Sequence, residues 1–107
     1  MPHTFIPDLA QEITIPEKGI LSMVLRKDDH VNATLFAFAS GEELTAHSAP
    51  TPAILYFLEG EADVQLGSQT VQVQKGSFVY MPPMLAHGIT TKAATKMLLV
   101  QIKTETN

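Results

Sequence analysis

Chemistry in this chain has few places to reside. Its 107 residues include four histidines and no cysteine. Without thiols there is no disulfide, no thiolate metal ligand and no cysteine nucleophile. His3 lies in the opening stretch MPHTFIPD, and His30 follows Lys27-Asp28-Asp29 in a turn-like stretch, where solvated loop histidines are expected. His47 and His87 stand apart. His47 precedes a prolyl turn and an apolar run, HSAPTPAILYFLEG, and His87 closes GSFVYMPPMLAH. An imidazole can move a proton near neutral pH or hold zinc, nickel, iron or copper through a ring lone pair. Around His47 the chain places Ala49 and Ala53, where a binding site would want polar groups. Glu42 and Glu43 precede the strand and are expected to face solvent; Glu59 and Glu61 bracket Gly60 in water. There is no Ser-His-Asp order, phosphate loop or paired-carboxylate arrangement.

The elements that must carry these residues have a period of two. In VNATLFAFA, residues 31–39, Val31, Ala33, Leu35, Ala37 and Ala39 share one face; Asn32, Thr34, Phe36 and Phe38 share the other. The stretch EADVQLGSQTVQVQ, residues 61–74, reads as a hairpin turning at Leu66-Gly67-Ser68-Gln69. Val64, Leu66, Val71 and Val73 are its apolar positions, and Asp63, Gln65, Gln72 and Gln74 face water. The run KMLLVQIK, 96–103, is expected to be a strand buried on both faces or at a subunit contact. Recurrent glycines and the Pro50-Pro52 and Pro82-Pro83 clusters punctuate an all-β sandwich or barrel. The length fits a single domain, 1–107, with residues 1–9 as an extended N-terminal arm.

Composition narrows the partners. A formal charge of −4 with scattered basic residues gives no footprint for nucleic acid or anionic lipid. No apolar run reaches membrane-spanning length, and the N-terminus does not read as a secretory signal, so a cytoplasmic location is expected. A small β protein must also protect its sheet edges and supplement its core, which favours a homodimer.

Two stretches together resemble the cupin superfamily. Gly41, five residues, His47-Ser48-Ala49, three residues, Ala53, six residues and Gly60 follow the spacing of that family's first motif. Gly76, five residues, Pro82-Pro83-Met84, two residues, His87, three residues and Thr91 follow its second. The resemblance spans about residues 31–103 and implies a cupin-type double-stranded β-helix, a jelly-roll barrel. It implies that His47 and His87 converge inside the barrel, where metal-bearing cupins hold one divalent transition metal, with zinc, nickel, iron or copper as candidates here. Position by position, the family's second histidine is Ala49 here, its glutamate Ala53, the glycine of its Pro-x-Gly Met84 and its late asparagine Thr91. Only two metal ligands, His47 and His87, are retained.

Losing a histidine and a glutamate to alanines empties space as well as charge. The expected pocket is largely apolar, with two imidazoles at its floor. Its residues are His47, His87, Ala49, Ala53, Leu55, Phe57, Tyr80 and Met84. Leu55 and Phe57 follow Ala53 by alternation; Tyr80, Met84 and Gln101 are the further candidates to line the cavity and supply a third group. Such a pocket suits a small organic molecule with one polar group. Three readings remain open: a small-molecule-binding cupin of unassigned activity; a metal-dependent dioxygenase or isomerase using His47 and His87; and a structural dimer with a vestigial pocket. No catalytic residue is assigned.

Overall fold

The alternating stretches become nine strands in a computed structural model that describes residues 2–103. They are β1 (Ile20–Lys27), β2 (Val31–Phe38), β3 (Glu43–His47), β4 (Ala53–Glu59), β5 (Glu61–Leu66), β6 (Gln69–Gln74), β7 (Phe78–Met81), β8 (His87–Thr91) and β9 (Thr95–Ile102). They form two antiparallel sheets, one of five strands in the order β1-β2-β9-β4-β7 and one of four in the order β3-β8-β5-β6. The jelly-roll expectation is met. No helix among the described residues is long and apolar enough to cross a membrane.

Each sheet sends one set of alternating residues inward. Register aligns Phe36, Met97 and Phe57 in one inward rung of the five-stranded sheet. Leu44, Ile89, Val64 and Val71 align across the other sheet. Phe38, Leu55, Phe57, Val64 and Met97 are almost wholly buried where the faces meet. Phe36 and Phe38 stack inside at 6.0 Å between ring centroids. Their face is thus the inner one, which the sequence left undecided. Leu35 and Ala37 point outward instead, and are buried because Leu9, Ile13 and Ile15 lie over them.

The strand expected at 96–103 is β9, the central strand of its sheet. That position explains why both its faces are apolar: Met97 packs in the core, while Leu98 and Val100 are half-buried outside. Residues 2–8 have no regular secondary structure, and a 3-10 turn follows at Leu9–Gln11. Arg26 Nη1 ties the segment to β1, donating to Pro2 O at 2.7 Å and Thr4 Oγ1 at 3.2 Å.

Asp28 closes the β1–β2 hairpin. Its Oδ1 accepts from the backbone N–H of His30 at 2.8 Å and Val31 at 3.0 Å, and its Oδ2 from Arg26 Nε at 2.8 Å. These bonds, the one from His30 foremost, hold its carboxyl well below the usual carboxylate range. The folded state therefore binds this proton more weakly than the unfolded chain does. The stabilisation is complete above the unfolded value, near 3.9, and is lost as pH falls below it. Asp28→Ala is expected to lower Tm at neutral pH. The gap to the parent should narrow as pH is taken below about 4. A gap that stays constant down to acid would show that the charged form is not what closes the turn.

Candidate functional site

Position 47 faces the barrel interior because β3 is irregular. Leu44 pairs with Ile89 and points inward; strict alternation from it would turn His47 outward. A register shift between Leu44 and His47 brings His47 opposite His87 instead. Gly88 makes room for the shifted strand. A Cβ on Gly88 would stand 3.0 Å from Leu44 O and 3.1 Å from Ala46 N.

The two rings meet with centroids 4.5 Å apart and planes tilted by 55°. Each is oriented by a backbone carbonyl two residues earlier. His47 Nδ1 lies 3.1 Å from Thr45 O, and His87 Nδ1 lies 2.9 Å from Leu85 O. A carbonyl oxygen only accepts, so both Nδ1 atoms carry the proton. In the neutral rings the Nε2 atoms then carry the lone pair. The orienting groups were invisible in the sequence, since they are main-chain atoms.

A cavity of about 120 Å³ opens beside the rings. His47, His87, Ala49, Ala53 and Leu55 all line it, with Phe36, Met81, Met97 and Leu99 among the other apolar residues of its wall. The imidazoles sit at its rim rather than its floor: His47 is exposed and His87 half-buried. Thr51 and Gln101 are the remaining polar side chains of the wall. Gln101 Oε1 already accepts from Asn32 Nδ2 at 3.2 Å.

Three expected wall residues lie elsewhere. Phe57 points inward but deeper than the cavity, pairing with Met97 in the packed core. Tyr80 is 53% exposed, because alternation with inward Val79 and Met81 turns it out. Met84 is 64% exposed and adopts a φ of +69°, rare for a residue with a side chain. It stands where the resembling motif has glycine, so the backbone keeps the left-handed conformation although the residue has changed. Its N–H donates to Ala49 O at 2.7 Å, fixing that loop against the rim. Glu42, expected in solvent, accepts from the Gly19 N–H at 3.0 Å and is half-buried. Thr51, Met97 and Leu99 were not foreseen as lining. The last two follow from the period-two pattern once Gln101 is known to point inward.

Two imidazoles do not make a tight metal centre. A stable site takes three or more protein ligands. No group of three or more His, Cys, Asp or Glu that could hold a metal occurs among the described residues. The two positions that would complete the set are alanines, and Tyr80 and Met84 point away. The donor set therefore does not fit a resident divalent cation, and no chemical step is derived through one.

The sequence profile described as a Cupin domain matches residues 34–102. No curated protein is detectably similar in sequence. Among solved structures, a conserved protein of unknown function from Streptococcus pyogenes is 31% identical, with a TM-score of 0.88 over 99% of this chain and 93% of that one. A cupin superfamily protein from Desulfitobacterium hafniense is 28% identical, with a TM-score of 0.87 over 97% and 95%. KdgF from Halomonas shares the fold at 18% identity and a TM-score of 0.80, over 96% of each chain.

Proposed function

This chain belongs to the cupin superfamily, and from that premise we propose that its barrel binds one small, largely apolar organic molecule through His47 and His87. The observation that carries this reading is the pair of Nε2 lone pairs at the rim of an otherwise apolar cavity. The fixed tautomers accept hydrogen bonds, so the complementary group is a donor such as a hydroxyl. A carboxylate would need a proton added to one ring first. Size sets a second limit. A dry cavity of about 150 Å³ admits benzene, so a space of about 120 Å³ takes a comparably small body, with any longer substituent emerging at the open rim. A sugar, with hydroxyls on every side, would leave most of them unpaired against Leu55, Met97 and Leu99.

The test uses phenol as the probe, with glucose beside it. Phenol should raise Tm and shift the His87 and Leu55 resonances; glucose should do neither. His47→Ala and His87→Ala should each weaken phenol by about 1 kcal/mol, roughly fivefold in Kd. Ala53→Leu places three further carbons in the cavity. It should abolish phenol binding while raising Tm, as cavity-filling changes commonly do by about 0.5–2 kcal/mol. Phenol binding that is unchanged in Ala53→Leu, or absent at millimolar concentration in the parent, refutes the reading.

A further inference from the structure

The mouth of the barrel has two lips, one from each sheet. His47 ends β3, His87 opens β8, and the two pair across the four-stranded sheet. Opposite them, Asn32, Gln101, Ala53 and Met81 form the last inward rung of the five-stranded sheet. Two short connections join the lips, residues 48–52 from His47 to Ala53 and residues 82–86 from Met81 to His87. Sheets packed face to face stand about 10 Å apart. An imidazole from one side and a glutamine from the other therefore reach toward the same space, and both line the cavity.

Gln101 presents one fixed end to that space. Its Oε1 accepts from Asn32 Nδ2 at 3.2 Å, and Asn32 lies behind it, outside the lining. The end left for the cavity is Nε2, which only donates. Exchanging the ends of both amides would not give an equivalent pair. In the observed arrangement the buried atom without a partner among the described residues is an oxygen, Asn32 Oδ1. The exchange would bury an N–H group there instead, an orphan that folded proteins tolerate less often. Thr51 imposes no such choice, since a hydroxyl turns to give or to accept. Among the described residues no charged side chain lines the cavity.

We propose that Gln101 is the specificity-determining residue of this pocket, with Asn32 as its positioning residue, and that together they restrict the bound polar group to a neutral hydroxyl. This rests on the cavity holding a small molecule through His47 and His87. The polar group of that molecule then meets acceptors on one lip and a donor on the other. A hydroxyl answers both: it donates to an imidazole Nε2 and accepts from Gln101 Nε2. A ketone or an ether accepts only and leaves the imidazoles unpaired. An aromatic amine has two N–H groups and a weakly accepting nitrogen, so one N–H is set against the amide donors of Gln101. An ammonium would bring charge into a cavity that offers no countercharge. The class is thus alcohols and phenols with a compact apolar body, chosen over amines of the same shape.

Phenol and aniline differ at the polar group alone and serve as the probes. Their Kd values are read from titrations of the Leu55 resonances at about pH 7.5, well above the ordinary carboxylate range. In the parent, phenol should bind more tightly than aniline. Gln101→Met keeps the length of the side chain and removes the donor. Phenol should weaken about fivefold while aniline changes little, so the preference shrinks about fivefold. Asn32→Asp turns the amide round, because a carboxylate only accepts and takes Gln101 Nε2 as its donor. Gln101 Oε1 then faces the cavity and pairs with the second N–H of aniline. Phenol loses one bond where aniline gains one, and the preference should move toward aniline by about 25-fold. A merely structural role would weaken both probes alike. A phenol-to-aniline ratio unchanged in Gln101→Met overturns the assignment while phenol binding itself stands. If that variant fails to fold, an unchanged ratio in Asn32→Asp does the same. Phenol that fails to bind the parent overturns the reading of the cavity, and this inference with it.

Discussion

The double substitution Ala49→His and Ala53→Glu is expected to create a divalent-metal site where the described residues now supply two imidazoles. Both alanines line the same cavity as His47 and His87. Their backbones are already fixed: Ala49 O accepts from the Met84 N–H, and Ala53 is paired between Gln101 and Met81. The resident rings need no rearrangement, because their Nδ1 protons are held by Thr45 O and Leu85 O and their Nε2 atoms carry lone pairs. That is the outer support a ligating histidine requires. Structural zinc sites with four ligands have apparent binding energies of about 10–16 kcal/mol, or roughly 3 per ligand. Adding two ligands should therefore tighten zinc or nickel by at least about 1,000-fold, some 4 kcal/mol. Without metal, the buried glutamate should lower Tm relative to the parent, since its charge is unpaired. Saturating zinc should then restore stability, by about 2.7 kcal/mol at 100 times Kd. The parent should respond little. Titration calorimetry and thermal unfolding measure both effects. A double variant that binds zinc no more tightly than the parent would show that positions 49 and 53 do not share a centre with the rings.

Alternation located the hairpin of β5 and β6 and the inner face of β4, because exposure on one side and burial on the other leave a period of two. Carrying the cupin spacing over placed four of the motif positions in one cavity. Alternation alone would have failed at His47, where the shift in β3 reverses which way the side chain points. The bulge is accommodated by the missing side chain of Gly88, and a single glycine in a strand does not announce what approaches it. The errors share a cause. Tyr80 and Met84 were expected in the wall as candidates for a third polar group, whereas their direction is set by the pleat in one case and by a left-handed backbone in the other. The hydrogen bonds that fix both imidazoles come from main-chain carbonyls, which every residue has and no sequence distinguishes.

The largest loss of stability is expected from Gly60→Ala. The chain crosses from the five-stranded sheet to the four-stranded one between β4 and β5, and its last crossing, back to the five-stranded sheet, lies between β8 and β9. Gly60 sits where those two crossings touch. Its φ is +100°, and an added Cβ would collide with Ala94 O and Thr95 Oγ1 and stand 2.6 Å from Thr95 Cα. Two of these atoms are backbone, so no rotamer change relieves the clash. Thr95 is fully buried, and its hydroxyl donates to Ala93 O at 2.8 Å, with Glu61 O at 3.3 Å. Lys92 N and Ala93 N also donate to Glu61 O. Moving the β8–β9 turn away to admit a methyl group would break this cluster. Backbone strain of about 1–3 kcal/mol and overpacking of a similar size add here. At about 4–8 °C per kcal/mol for a chain of this length, Tm should fall by at least about 10 °C. Gly41→Ala separates the two causes. Its φ is +80°, but a Cβ there meets nothing within 4 Å. It should lose only the conformational part, about 1–2 kcal/mol. Thermal unfolding of both variants reads the difference directly. Equal losses would mean that the contact with Ala94 and Thr95 is not what requires glycine at position 60. A much greater loss at 60 would identify the crossing of the two connections as the point that keeps the sheets closed over the cavity.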